Sequence, residues 1–160
     1  MTKTNAARIL DKLDIKYDLL AYEVDESDLS AISVADKLGQ NIDQVFKTLV
    51  LQGDRSGIFV CIIPGADELD LKKTAQISGN KSVEMVPVKE ILNMTGYIRG
   101  GCSPICMKKN YPTFIDESCI LFDFIFVSAG IRGLQLKLAP GDLIKATSAK
   151  TCDLLKIKTL

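Results

Sequence analysis

The chain has 160 residues, of which 47% are hydrophobic and 25% are charged, a composition typical of a globular protein. Its twenty basic side chains balance twenty acidic ones, which excludes a protein that holds a polyanion by bulk charge and leaves only a local or shared contact with nucleic acid. The absence of histidine excludes a Ser-His-Asp triad, a Cys-His pair and a histidine general base.

The first predicted elements are two short helices with a strand between them. The apolar residues of Thr4–Leu13 recur at helical spacing and predict an amphipathic helix. The segment Lys16–Tyr22 predicts a strand. A second helix follows, with a capping-box pattern that begins at Ser33 and a candidate C-cap at Gly39.

A β-hairpin is the clearest element of the sequence. The apolar segments VFKTLVLQ and IFVCIIP flank the turn GDRSG, which holds two glycines and an aspartate. Two helices follow the hairpin. One covers Asp70–Ser78 and stops at Gly79, and the other opens with Pro87 in its first turn and closes before Gly96.

The last third of the chain predicts three strands and one helix. The strands are PTFID, FIFVSAG and LQLKLA, and the helix starts near Pro140. Because strands and helices do not alternate in a steady βαβ rhythm, the sequence predicts an α+β fold with a mixed, barrel-like sheet. We expect a single domain over residues 1–160.

The chain carries no targeting or redox signature. Its first residues contain no apolar h-region, and no apolar run approaches about 18 residues, so we expect a cytoplasmic protein with no membrane contact. The polar runs Asp25–Asp28 and Lys37–Gln44 are interpreted as solvated surface. The cysteines have irregular spacing without a CxxC motif and are interpreted as reduced thiols with no metal: Cys61, Cys102, Cys106, Cys119 and Cys152.

Lys47 is the first candidate functional residue, because it lies inside an apolar strand. Alternation places it on one face with Val45 and Leu49. One interpretation is an edge-strand lysine that guards against aggregation. The other is a cation directed into a pocket, where it would hold a phosphate or an ester.

The glycine-rich loop GYIRGGCSP, Gly96–Pro104, is the second candidate. Glycines are common in plain turns. They also allow close approach to the backbone, whose N–H groups can then donate to an anion or a developing oxyanion. Ser103 could add a hydroxyl, and Pro104 would stiffen the end of the loop. Cys102 and Cys106 lie four residues apart and could form a reactive pair, but no histidine is present to lower the pKa of either thiol.

Six segments in this order resemble the YbaK/EbsC family: DQVFKTLVL, ELDLKK, VEMV, TGYIRGGCSP, PTFID and FVSAGIRGLQLKLAPGDLIK. The family consists of Cys-tRNA(Pro) deacylases related to the editing domain of some prolyl-tRNA synthetases. The resemblance covers nearly the whole chain. It implies a mixed β-barrel surrounded by helices, and an enzyme that needs no cofactor.

The resemblance also implies a set of site residues. The catalytic positions that it implies are Lys47, Gly100, Gly101 and Ser103. The substrate-binding positions that it implies are Tyr22, Thr48, Cys102, Pro104, Ser128, Gly130 and Gln135. At Gln135 an amide stands where relatives often carry a carboxylate, so we expect no acid–base role there.

The resemblance implies a reaction that is compatible with the missing histidine. An aminoacyl ester is already activated, so the site needs to hold the 3′-CCA end of mischarged tRNA and polarise the carbonyl. In the family the substrate's own cysteine thiol is the nucleophile. Prolyl-tRNA synthetase is the expected partner, and the protein is expected to be a monomer or a homodimer.

Three functions remain open from the sequence. The first is a free-standing deacylase for Cys-tRNA(Pro). The second keeps the fold but acts on Ala-tRNA or Ser-tRNA, because a pocket separates side chains that differ by one methylene by only about 1–3 kcal/mol. The third is a non-catalytic nucleotide- or tRNA-binding module, in which Cys102 and Cys106 could form a redox pair. The amide at Gln135 favours the second or the third.

Overall fold

Five helices and eight strands make up residues 3–158, the part of the chain that a computed structural model describes. The helices are α1 (Asn5–Lys12), α2 (Ala31–Leu38), α3 (Leu71–Ser78), α4 (Val88–Thr95) and α5 (Pro140–Thr147). The strands are β1 (Asp18–Ala21), β2 (Phe46–Gly53), β3 (Gly57–Pro64), β4 (Val83–Met85), β5 (Thr113–Asp116), β6 (Ile125–Ser128), β7 (Leu134–Leu138) and β8 (Lys150–Cys152). Two short 3₁₀ helices cover Ile42–Gln44 and Glu117–Leu121.

The strands form two sheets. The smaller sheet is antiparallel, in the order β1-β7-β6. The larger has the order β4-β2-β3-β5-β8, antiparallel from β4 to β3 and parallel from β3 to β8. The predicted α+β class is confirmed. The barrel-like part of the prediction is realised as two sheets joined at one edge, and not as a closed barrel, within residues 3–158.

The helix ends follow the local capping chemistry. Gly39, Gly79 and Gly96 close α2, α3 and α4 with φ values of 65°, 75° and 85°, a left-handed conformation that glycine adopts without strain. The predicted start of α2 is wrong: the Ser30 side chain accepts from the Ser33 N–H, so the cap lies three residues earlier. Pro87 likewise precedes α4 as its N-cap.

The central strand β3 has buried side chains on both of its faces. Val60 and Ile62 belong to the larger core cluster, which also contains Leu10, Ile125 and Leu143. On the opposite face, a second cluster contains the residues that alternate with these two: Phe59, Cys61 and Ile63. Burial on both faces explains why the predicted hairpin has a continuous apolar run instead of an alternating one.

The two sheets meet at a single backbone bridge among the described residues, between Val45 and Phe126. Gln44 strengthens the junction, because its side-chain amide donates to the Phe124 carbonyl at 2.9 Å. Beyond this bridge β2 and β6 separate. Strand β4 does not cover this half of β2, since it pairs only with Leu51–Gly53. A gap therefore opens beside the first residues of β2.

Asn80 holds the hairpin turn between β2 and β3. Its Oδ1 accepts from the backbone N–H groups of Arg55 and Ser56 at 2.9 and 2.8 Å, and its Nδ2 donates to Ser56 Oγ. The side chain is 7% exposed and fills the space beside Gly53, where a Cβ would lie 2.2 Å from it. One buried amide therefore orders the turn that sets the register of the hairpin.

We expect Asn80→Ala to lower the free energy of unfolding by about 1–3 kcal/mol, because it leaves polar groups of the turn without partners. Asn80→Asp keeps the acceptor and should cost less. Urea unfolding followed by circular dichroism measures both. Asn110→Ala is the matched control, since Asn110 is exposed, and it should stay within about 0.5 kcal/mol. Equal loss in Asn80→Ala and Asn110→Ala would contradict the assigned role.

Candidate functional site

A cavity of about 440 Å³ lies in the gap between the two sheets. Four segments contribute to its walls: the start of β2, the glycine-rich loop, the facing ends of β6 and β7, and the segment that leads into α2. The lining residues are Ser27, Asp28, Leu29, Ser30, Ala31, Val34, Val45, Phe46, Lys47, Thr48, Leu49, Arg99, Gly100, Cys102, Ser128 and Gln135.

Six of the eleven site residues predicted from the sequence line this cavity. They are Lys47, Thr48, Gly100, Cys102, Ser128 and Gln135. The strand pairing explains part of this grouping. Lys47 and Ser128 each lie two residues beyond the Val45–Phe126 bridge, on the two strands that separate there. Gln135 is the register partner of Ser128.

The other five predicted residues do not line the cavity. Ser103 is completely buried, and its hydroxyl accepts from the Ile105 N–H at 3.2 Å, so it closes a turn. Pro104 borders a different cavity, on the far side of the loop. Tyr22 packs against the core cluster beneath α2. Gly101 and Gly130 serve as close-approach positions for neighbouring elements.

Lys47 is a half-buried cation without a paired anion. No carboxylate of residues 3–158 lies within 4.0 Å of its ammonium group. Burial lowers the pKa of Lys47, and the more distant carboxylates of Asp67 and Glu68 partly oppose this change. A positive charge held this way, in the wall of a cavity, is suited to bind an anionic or strongly polar group.

The glycine-rich loop presents backbone to the cavity. Ile98 to Gly101 form a turn, in which the Gly101 N–H donates to the Ile98 carbonyl at 2.9 Å and Gly100 has φ of 82°. The Gly101 N–H is therefore already used. The N–H groups of Gly100 and Cys102 have no hydrogen-bond partner within residues 3–158. These two groups remain free to donate to a bound molecule.

Cys102 lines the cavity, but its thiol is not activated. Burial raises its pKa to about 11, and a contact with the Thr95 side chain only partly opposes this. The group is therefore protonated at neutral pH and is a poor nucleophile. Cys106 is exposed and borders the cavity on the far side of the loop, so it does not face Cys102 across the site.

Gln135 offers an unpaired polar group to the cavity. The residue is 5% exposed, and its Oε1 is buried without a hydrogen-bond donor among the described residues. Ser128 lies beside it, and its Oγ accepts from the Gly130 N–H at 3.1 Å. The hydroxyl proton of Ser128 is left to donate. An acceptor and a donor therefore stand side by side at the end of the smaller sheet.

Sequence reasoning missed one wall of the cavity. The run Asp25–Asp28 is exposed, as expected for solvated surface. Ser27 and Asp28 of this run also border the cavity together with Leu29 and Ser30, which the sequence did not predict. Asp25 and Asp28 accept from the backbone N–H groups of Ser27 and Ser30, so each carboxylate holds a tight turn. The Asp-x-Ser spacing, repeated once, is the signal that could have indicated this ordered segment.

The described residues offer no metal site and no membrane-spanning helix. No group of three or more His, Cys, Asp or Glu side chains in residues 3–158 is placed to hold a metal ion. None of the helices described here has the length and apolar character needed to cross a membrane.

Comparison with known proteins adds independent findings. Residues 26–146 match a family described as the aminoacyl-tRNA editing domain. The chain is 46% identical over 152 residues to EbsC of Enterococcus faecalis, described as a candidate Cys-tRNA(Pro)/Cys-tRNA(Cys) deacylase, covering 95% of this chain and 93% of that one.

Two solved structures share the fold. One is described as a candidate trans-editing enzyme for prolyl tRNA synthetase, with a TM-score of 0.81, 23% identity, and coverage of 98% of this chain and 100% of that one. The other is the hypothetical protein APE2540, with a TM-score of 0.85, 21% identity, and coverage of 93% and 97%.

We expect Cys102 to react slowly with iodoacetamide near pH 7. A pKa of about 11 against an ordinary 9.0 leaves about 100-fold less thiolate. The greater nucleophilicity of that thiolate recovers about tenfold, so the net reduction is about tenfold or more. The Cys102 rate should also keep rising with pH up to about 11. Peptide mass spectrometry measures it against exposed Cys106 in the same sample, and equal rates at pH 7 would contradict the assignment.

Proposed function

The chain belongs to the aminoacyl-tRNA editing domain family, whose members are deacylases of mischarged tRNA, and from this membership we propose that its substrate is Cys-tRNA(Pro). The resemblance to the YbaK/EbsC family is thereby confirmed. EbsC supports the choice of cysteine, since it is described as a candidate Cys-tRNA(Pro)/Cys-tRNA(Cys) deacylase. Because charged tRNA is used in translation, we assign the activity to the cytoplasm.

One observation carries the proposal: a single cavity combines a lysine with backbone N–H groups, and none of these has a partner among residues 3–158. Lys47 lies on one wall, and Gly100 and Cys102 lie on another. The chain has no histidine, and the thiol in the cavity is protonated at neutral pH. This arrangement suits a reaction in which the protein binds and polarises the ester while the nucleophile comes from elsewhere.

The proposed reaction uses the thiol of the substrate. The cysteinyl sulfur attacks the carbonyl carbon, and a new C–S bond forms. The C–O bond to the terminal ribose then breaks, and the thiol proton passes to the departing ribose oxygen. The products are free tRNA and a cysteine thiolactone, which water opens. Negative charge develops on the carbonyl oxygen during the attack, and the Gly100 and Cys102 N–H groups are proposed to stabilise it.

The other cavity residues are proposed to orient the substrate. Lys47 would bind the terminal phosphate or the ribose end as a fixed charge, with Thr48 beside it. The unpaired Oε1 of Gln135 would accept from the ammonium group of the cysteine, and the Ser128 hydroxyl would donate to a neighbouring oxygen. A neutral amide can fill this role because the role requires a hydrogen-bond acceptor and no transfer of a proton.

The other predicted substrate-binding and catalytic residues keep an indirect role in the proposal. Tyr22 and Gly130 support the walls without lining the cavity, and Pro104 fixes the end of the loop. Ser103 is proposed to act through the turn that it closes and not through its hydroxyl. Gly101 is proposed to act through its small size, which allows the neighbouring backbone to approach the loop closely.

The partner of the enzyme in solution is also a proposal. With no net charge, the chain can neutralise few phosphates, so its own affinity for tRNA should be weak. We propose that prolyl-tRNA synthetase presents the mischarged tRNA, while the editing protein itself acts as a monomer or a homodimer. The described trans-editing function of a protein with the same fold agrees with this arrangement.

A substrate panel tests the chemistry. We expect hydrolysis of Cys-tRNA(Pro), and no hydrolysis of the same tRNA carrying S-methylcysteine, because methylation removes the nucleophile. Ala-tRNA and Ser-tRNA should react at least about 100-fold more slowly. Release of the labelled amino acid is measured with and without prolyl-tRNA synthetase, which should increase the rate at low tRNA concentration. Equal rates for Cys and S-methylcysteine would contradict the substrate-assisted step, and no hydrolysis of any substrate would favour the non-catalytic module.

Lys47→Ala should reduce the deacylation rate by about 100-fold or more while leaving the melting temperature nearly unchanged, because a cavity-lining cation serves binding more than stability. Lys47→Arg keeps the charge and should retain part of the activity. Lys12→Ala, at the exposed end of α1, is the matched control and should remain within about twofold. If the activity of Lys47→Ala stayed within a few-fold of wild type, the catalytic role would be contradicted, and Lys47 would be interpreted as an edge-strand lysine that guards against aggregation.

A further inference from the structure

Arg132 connects three segments that surround the cavity. It lies in the connection between β6 and β7. Its Nε donates to the Arg99 carbonyl of the glycine-rich loop at 2.8 Å. Its Nη1 pairs with Glu26, in the segment before α2, at 3.3 Å. The side chain is 26% exposed and does not itself line the cavity.

The loop that Arg132 contacts is a type II turn. Such a turn has φ near 80° at its third residue, and Gly100 has 82° in the turn that the Gly101 N–H closes onto Ile98. Types I and II differ by a rotation of the central peptide, here Arg99–Gly100. That rotation exchanges the directions of the Arg99 carbonyl and the Gly100 N–H.

The hydrogen bond from Arg132 distinguishes these two orientations. In a trans peptide the carbonyl and the N–H point in opposite directions, and no cis peptide occurs in the described chain. The Arg99 carbonyl faces Arg132, so the Gly100 N–H points away from the guanidinium. This N–H has no partner among residues 3–158, and Gly100 lines the cavity.

We propose that Arg132 is a positioning residue that holds the Arg99–Gly100 peptide with its N–H directed at the reacting carbonyl. The inference rests on the proposed function, in which that N–H stabilises the oxyanion. With the peptide rotated, a carbonyl oxygen would face the developing negative charge and repel it. Arg132 therefore acts on the chemical step and leaves binding of the ground-state ester largely unchanged.

The backbone around Arg132 supports this function. A Cβ on Gly101 would lie 3.1–3.2 Å from the Ile131 and Arg132 backbone, so the two loops touch directly. On the adjacent residue, Gly100, a Cβ would lie 3.3 Å from the Arg132 Nε. The two glycines thus allow the β6–β7 connection to approach closely enough for the side chain to reach the Arg99 carbonyl.

Single-turnover deacylation of Cys-tRNA(Pro) tests the inference. Arg132→Gln should lower the maximal rate by about 10- to 100-fold, the value of a hydrogen bond from a charged donor, with KM within about twofold. Arg132→Lys should be intermediate, since an ammonium group can still donate. Glu26→Gln is the control, because it removes the exposed ion pair and leaves the Arg99 contact intact. It should stay within about twofold.

A double-mutant cycle separates positioning from a direct contact with tRNA. Gly100→Ala disfavours the type II turn, so Arg132→Gln added to it should cost little more. If Arg132 instead contacted a phosphate of the tRNA, the losses of the two single variants would multiply in the double variant, and KM would rise. The salt dependence of tRNA binding by Arg132→Gln would also be shallower than that of the wild type, by about one phosphate contact. That set of results would overturn the inference.

Nuclear magnetic resonance tests the same inference without any substrate. In Arg132→Gln, the Gly100 amide and Arg99 carbonyl resonances should shift or broaden, because the peptide samples both orientations. Gly39 and Gly79, which also have positive φ, should not change. Unchanged Gly100 and Arg99 resonances would overturn the inference. If the wild-type protein hydrolyses no charged tRNA, the proposed function fails, and this measurement alone decides the role of Arg132.

Discussion

The backbone bridge between Val45 and Phe126 is the contact on which the site depends. It joins the two sheets at one point, and β2 and β6 separate immediately after it. Lys47 and Ser128 are thereby carried to opposite walls of the gap. A longer ladder between the sheets would close the gap, while the bridge, the hydrogen bond from Gln44 to Phe124 and the shared apolar core hold the two walls apart at a fixed distance. The junction therefore determines both that a cavity exists and which side chains line it.

The chemistry of this cavity is mostly that of the backbone. Its thiol is protonated and the chain has no histidine, so side chains supply charge and hydrogen bonds more than proton transfer. Backbone donors need an ordered loop, since their direction depends on the dihedral angles. Here the order comes from the turn at Ile98–Gly101, from Arg132 on one side, and from Tyr97, whose hydroxyl donates to the Ile105 carbonyl. The protein's own hydrogen bonds therefore set the direction of these donors.

The sequence predicted the elements whose signals are local and missed those that form only by pairing with a distant segment of the chain. Glycine caps and the apolar hairpin identified α3, α4, β2 and β3. Strands β4 and β8 have three residues each and exist because a longer neighbour pairs with them, which no local pattern reveals. Lys47 could be predicted because a lysine in an apolar strand is unusual. The buried position of the Ser103 hydroxyl, and the wall formed by Ser27–Ser30, follow from tertiary contacts alone.

In the glycine-rich loop the backbone supplies the hydrogen-bond donors, whatever the side chain is, and this has an evolutionary consequence. At position 102 the backbone N–H has no partner among residues 3–158, and the residue lines the cavity. A substitution there changes the shape offered to the amino acid and leaves the donor in place. Selectivity among small amino acids can thus diverge between paralogues by single replacements, with no need to rebuild the apparatus for bond cleavage. The neighbouring Gly101 has less freedom, because a Cβ there would lie 3.1–3.2 Å from the backbone of Ile131 and Arg132, which would have to shift by a few tenths of an ångström to admit it.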